Sequence, residues 1–316
     1  MRALARRARV AESLPSSGRI AAKFATAAAE NRAAFIPYLT AGDPDLETTA
    51  ELARVLEESG ADILELGVPF SDPIADGPVI QRAAARGLSS STTLEAVLST
   101  AARIRRETSL ALVLFTYLNP LLRFGFERAA REAKAAGIDA VLVTDLPPEE
   151  APAYQPRLRA GGLDTVFLVS PTSPPARMAA AARLSSGFLY VVSRSGITGA
   201  RNALAPELHE TVRRARRSAG GLPLAIGFGI STPEDARLTA GLADGVVVGS
   251  AIVRAAEEAR GTGRSVAKAV GDLAGSLARA CVRGVAPEEG EEGSAGSVPE
   301  SRRTRPRSGR ESRTRS

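Results

Sequence analysis

Between residues 33 and 282, short unbroken apolar runs alternate with helix-patterned stretches eight times, and this rhythm limits the possible folds more than any other feature of the chain. The runs cover 33–39, 63–66, 110–115, 139–143, 165–169, 188–192, 224–227 and 246–248. Each is continuous rather than alternating, as expected of strands covered on both faces. The stretches between them predict helices. Over 45–59, Leu46, Leu52, Val55 and Leu56 fall near helical spacing, and Gly60 supplies a C-cap. Over 93–106, Leu94, Val97, Leu98 and Ile104 form the buried face. Further helices are predicted over 124–136, 149–160, 175–184, 205–218, 232–240, 251–259 and 265–282, and an extra one over 17–30 precedes the first strand. Eight such units within one domain's length predict an α/β fold, a single (β/α)8 TIM barrel with an extra N-terminal helix. An open Rossmann or flavodoxin-like sheet is the competing architecture, but no GxGxxG follows the first strand.

The two ends of the chain lack this pattern. Residues 1–16 hold four Arg and one Glu, and residues 287–316 hold an acidic block followed by an arginine block, with almost no large apolar side chains. Neither can bury a core, so both are predicted to be disordered extensions of a catalytic domain over 17–286. Much of the net charge of +6 sits in these ends, so the basic balance is weak support for nucleic-acid binding. The arginine-rich tail could touch RNA or an acidic partner; a solvated extension is the simpler reading. Cys281 is alone, which excludes an intramolecular disulfide and suits a reducing cytoplasm. With one Cys and one His, the latter in a polar helical stretch at position 209, the usual zinc ligands are missing and no metal site is expected. No apolar run approaches membrane-spanning length and no secretory signal is visible, so no membrane association is expected.

Chemistry is concentrated in residues 62–80, DILELGVPFSDPIADGPVI. Glu65 interrupts an apolar strand, and Asp76 follows in a loop rich in Ser, Asp, Pro and Gly. Desolvation would raise the pKa of Glu65 toward neutrality, which suits a general acid/base, while Asp76 in a wetter loop would stay ionised. The structural alternative has Glu65 as a core acid paired with an arginine and Asp72 and Asp76 as turn formers. From spacing alone the two readings stand level. Three glycine-bearing turns end the last three strands: 195–199, 227–231 and 249–250. Glycines let backbone amides approach an anion, and a following helix adds positive potential. One such turn could be simple chain reversal; three in one corner of a barrel favour phosphate binding. Tyr38, Phe115, Tyr117, Tyr190 and Phe228 end strands and could either sandwich a planar apolar substrate or pack a core.

The segment LELGVPFSDPIADGPVIQRA (64–83) resembles the signature of the tryptophan synthase alpha chain family. AAFIPYLTAGDP (33–44), VLVTDLPPEE (141–150) and YVVSRSGITG (190–199) are similar to further segments of that family, in the same order. The likeness covers about residues 17–282. It implies retro-aldol cleavage of indole-3-glycerol phosphate to indole and glyceraldehyde 3-phosphate, with Glu65 and Asp76 as catalytic residues. It assigns Gly199, Gly229, Gly249 and Ser250 to the phosphate, and Tyr38, Phe115, Leu142 and Phe228 to the indole, with Tyr38 replacing the phenylalanine of some relatives. Tyr190 would orient Glu65. Loops 69–78 and 193–204, the latter with Thr198, would close over substrate. The resemblance further implies an α2β2 assembly with the tryptophan synthase beta chain, with pyridoxal phosphate on that partner only and no cofactor on this chain. Pro69, Asp72 and Asn119 are interface candidates. A free-standing lyase and a non-catalytic barrel that only activates a beta chain are the alternatives.

Overall fold

The computed structural model describes residues 18–192, 206–227 and 229–283. Expectations that fall on the two ends, on residues 193–205 and on Phe228 lie outside the described residues. Eight parallel strands hydrogen-bond in chain order: β1 (Ala34–Thr40), β2 (Ile63–Gly67), β3 (Ala111–Thr116), β4 (Ala140–Val143), β5 (Asp164–Val169), β6 (Leu189–Val192), β7 (Leu224–Gly227) and β8 (Gly245–Val248). Pairing of β8 with β1, from Gly245 opposite Ala34 to Val248 opposite Pro37, closes the barrel that the alternation predicted.

The helices are α1 (Arg19–Ala29), α2 (Leu46–Glu58), α3 (Pro78–Ser89), α4 (Leu94–Glu107), α5 (Leu118–Phe124), α6 (Phe126–Ala135), α7 (Gln155–Ala160), α8 (Pro175–Leu184), α9 (Pro206–Ser218), α10 (Pro233–Leu242), α11 (Ser250–Gly261) and α12 (Val266–Ala280). Most follow the predicted spans within two residues. Two were not anticipated. α3 buries mainly small residues, Ala83, Ala84 and Gly87 beside Ile80, so its apolar stripe is faint in the sequence. α5 has Leu121 as its buried residue. The helix predicted over 149–160 divides into a 3-10 turn (Ala151–Ala153) and α7, because Pro152 and Pro156 each lack the N–H that a continuous helix would use.

Side chains alternate across every strand. Ile36, Ile63, Val113, Leu142, Val166, Tyr190, Ala225 and Val247 fill the barrel interior, while Phe35, Leu64, Leu112, Val141, Phe167, Leu189, Ile226 and Val246 pack in the layer beneath the helices. Both faces are thus apolar, which explains the continuous runs. α1 stoppers the lower end: Ile20, Phe24 and Ala27 join the interior cluster, and the Phe24 ring lies 5.7 Å from that of Phe188. Around the same end, aspartates just ahead of three strands tie neighbours together. Asp62 accepts from the Phe35 amide and from Arg32. Asp139 accepts from the Leu112 amide, Arg19 and Arg105. Asp244 accepts from the Leu224 amide, Arg216 and Arg283.

Candidate active site

Glu65 shares the inward parity of Ile63, so it points into the barrel near the C-terminal end of β2, with 1% of its surface exposed. Its Oε1 is buried and has no hydrogen-bond partner. Among the described residues no arginine pairs with it, which speaks against the structural alternative of a paired core acid. Burial pushes its carboxyl up to about 8. Across the register from Glu65 stands Tyr38, and the two line one cavity of about 280 Å³ together with Asp76, Phe115 and Tyr190. The two tyrosines fit because glycines face them. A Cβ on Gly67 would lie 2.1 Å from the Tyr38 hydroxyl, and one on Gly227 would lie 2.1 Å from that of Tyr190. The Tyr38 hydroxyl accepts from Thr40 at 3.2 Å, and its ring meets Phe115 edge-on at 5.2 Å.

Asp76 sits in the loop between β2 and α3, one residue before the α3 N-cap Gly77. It is drier than a loop acid was expected to be. Burial raises its pKa, and a 2.9 Å hydrogen bond donated by the Tyr117 hydroxyl lowers it in part. The same hydroxyl accepts from the Ala75 amide at 3.0 Å, so Tyr117 pins both the loop and its carboxylate. Both carboxyls are therefore shifted upward, Glu65 because nothing but burial acts on it and Asp76 against the opposing pull of a donor.

The cavity is also lined by Gly229, Ile230, Ser231, Gly249, Ser250, Ala251 and Arg254. Gly229 has φ +80°, a left-handed conformation that a side chain would strain. The two helices here differ. At α10 the Ser231 and Thr232 amides already donate to Asp235, which forms a capping box with Thr232. At α11 Gly249 is the N-cap and no side chain caps the end, so the positive end of that helix faces the cavity with its first amides uncommitted to a side chain. α3 and α11 are held together by Arg82 and Arg86 on Glu257 and by Arg86 and Arg260 on Asp43. Among the described residues no cluster of three or more His, Cys, Asp or Glu could hold a metal ion.

The profile of the family described as "Tryptophan synthase alpha chain" matches residues 24–282. A tryptophan synthase alpha chain of Geotalea uraniireducens is 49% identical over 243 residues, covering 77% of this chain and 91% of the relative. One of Solibacter usitatus is 52% identical over 229 residues, covering 72% and 85%. Among solved structures, tryptophan synthase subunit alpha from Legionella pneumophila is 38% identical, with a TM-score of 0.78 over 84% of this chain and 99% of that one. A tryptophan synthase structure from Mycobacterium tuberculosis is 36% identical, with a TM-score of 0.77 over 85% and 100%. The chain belongs to the tryptophan synthase alpha chain family.

Of the positions that the family resemblance singled out, Glu65, Asp76, Tyr38, Phe115, Tyr190, Gly229, Gly249 and Ser250 converge on one cavity. Leu142 is fully buried in the barrel interior with Phe115 and Tyr190 and is absent from the cavity lining. Thr198, Gly199 and Phe228 lie outside the described residues. Sequence reasoning passed over three contributors to this alpha-chain site. Tyr117 was noticed as a strand-end aromatic, but its bond to Asp76 crosses 41 positions and has no local signature. Ile80 on α3 was hidden with its helix. Arg254 lies beyond the glycine-bearing turn at 249–250, and only helical geometry brings it onto the face of Ser250.

Proposed function

We propose that Glu65 and Asp76 carry the chemistry of this lyase, which cleaves indole-3-glycerol phosphate to indole and glyceraldehyde 3-phosphate in tryptophan biosynthesis. The observation that carries the assignment is the buried, unpartnered Oε1 of Glu65 in a cavity that also holds Asp76. A carboxyl titrating near 8 is neutral at physiological pH and can donate a proton. Glu65 protonates C3 of the indole, giving an indoleninium cation. The carboxylate so formed takes the proton of the side-chain hydroxyl as the C–C bond breaks, the bonding electrons return to the ring, and Glu65 is neutral again. Asp76 accepts the ring N–H and stabilises its developing positive charge, held in place by Tyr117. Tyr190 borders Glu65, and Tyr38 and Phe115 flank the ring. Gly229, Gly249 and Ser250, with Gly199, offer backbone amides to the phosphate. The catalytic unit in this reading spans 17–286, with 1–16 and 287–316 outside it.

The chain works without a cofactor of its own in this proposal, in the cytoplasm, and hands indole to a tryptophan synthase beta chain in an α2β2 assembly. Pyridoxal phosphate belongs to that partner. No nucleic acid takes part, and no helix among the described residues is long and apolar enough to cross a membrane. In support of a partner, the rim beside Asp76 bears a groove lined by Phe70, Asp72, Pro73, Ile74 and Leu88, with Ile74 85% exposed. Asp72 and Asn119 are exposed, as interface residues require, whereas Pro69 is buried and packs toward Gly87, so it shapes the loop. The test is indole release with and without a beta chain. Wild type should release indole faster when the beta chain is present, and Glu65→Gln should lower the rate by about three orders of magnitude while remaining folded. Undiminished release by Glu65→Gln would remove Glu65 from the mechanism.

A further inference from the structure

The cavity is lined by two carboxyls and a lone guanidinium. Arg254 lies on α11, one helical turn after Ser250 and on the same face. It lines the cavity, it is exposed, and among the described residues it makes no ion pair or hydrogen bond. Three nearby acids are engaged elsewhere, while Glu258, four residues on along α11, is exposed and makes no ion pair with it. Glu257 is occupied by Arg82 and Arg86, Asp43 by Arg86 and Arg260, and Asp235 by the amides at the start of α10. Among the described residues lining this cavity, Arg254 is the only cation. The unpartnered Oε1 of Glu65 in the same cavity independently marks it as built for a ligand.

We infer that Arg254 is a phosphate-binding residue, which closes on the phosphomonoester dianion of the substrate alongside the α11 amides and so fixes which end of the substrate faces Asp76. The inference rests on the lyase reading for the identity of the substrate. It departs from an anion site made of backbone alone: a flexible guanidinium adds a charge-assisted, fork-shaped contact that is made only when the ligand arrives. The unreacting end of the substrate would then be anchored by an attraction that weakens with salt.

The experiment compares wild type, Arg254→Gln and Arg254→Lys in full-length chains. It reads kcat and KM for indole-3-glycerol phosphate at roughly 0.05 and 0.3 M salt, and calorimetric titration with inorganic phosphate. Arg254→Gln should raise KM about tenfold and weaken phosphate binding to a similar degree, with kcat within about threefold of wild type. Its KM should also lose most of its dependence on salt. Arg254→Lys should recover much of the loss, since the charge remains. Unchanged KM and phosphate affinity in Arg254→Gln would overturn the proposal, as would a fall in kcat at constant KM. A wild type that binds phosphate but releases no indole would refute the lyase reading, and the phosphate titrations of the variants would still decide the role of Arg254.

Discussion

Ionising Glu65 where it stands costs the folded chain stability. Its carboxyl is raised from 4.5 to about 8, so between those values the folded state binds more protons than the unfolded one. The stability associated with the neutral acid is complete below about 4.5 and is lost as pH rises toward 8. Glu65→Gln, which cannot ionise, should therefore unfold at a higher temperature than wild type at pH 8, and the gap should close toward pH 4.5. Equal melting temperatures across that range would mean the carboxyl is not desolvated. The same titration predicts catalysis: kcat/KM for indole release should fall as pH rises past about 8, where the donor form of Glu65 disappears. In the proposed mechanism Asp76 acts as the carboxylate, so activity should also be lost on the acid side. Tyr117→Phe removes the hydrogen bond that lowers its pKa and should move that acid limb upward. A pH profile with an unmoved acid limb would detach Tyr117 from Asp76.

Elements meet in the site through glycines at strand ends. Gly67 ends β2, and the space a side chain would take there is filled by the Tyr38 phenol from β1. Gly67→Ala places a methyl within 2.1 Å of the hydroxyl and 2.5 Å of the ring carbon bearing it. Strands buried on both faces cannot shift, so the Tyr38 ring must swing into the cavity. Indole release should drop at least about a hundredfold, with a loss of stability of roughly 1–3 kcal/mol from overpacking. Kinetics and thermal unfolding of the variant check both, and retained activity would show that the ring has another place to go. A second element-scale device is the clamp from α3 to α11 through Glu257 and Asp43, which holds the two helices together.

At the scale of the whole molecule, chemistry and cohesion occupy opposite ends of the barrel. The upper mouth leaves Oε1 of Glu65 unsatisfied, whereas at the lower end Asp62, Asp139 and Asp244 each join an inter-strand amide to arginines from other elements. Asp139→Asn removes the charge shared by Arg19 and Arg105. It should cost about 2–3 kcal/mol, less than a fully buried pair because Arg19 is 42% exposed. kcat should stay within about twofold of wild type, since the site is at the other end. Thermal unfolding read beside the indole assay tests this, and a comparable loss of kcat would mean that the two ends are coupled.

The sequence by itself determined the eight-unit rhythm, because helix and strand periodicities are local and a buried parallel strand needs an unbroken apolar run. It also determined the family, because the segment 64–83 carries the glycines, prolines and acids of one particular loop. Only the tertiary structure decided where those residues point. A run such as ILELG is apolar on both faces, so nothing in it says whether Glu65 looks into the barrel or out toward the helices; closure of β8 on β1 settles the parity of every strand at once. The partners of Asp76 and the solitude of Arg254 were hidden for the same reason. Tyr117 comes from the next strand end, and Glu257 and Asp43 near Arg254 are taken by Arg82 and Arg86 of α3 and by Arg260. Such contacts are fixed by packing in three dimensions and have no spacing along the chain.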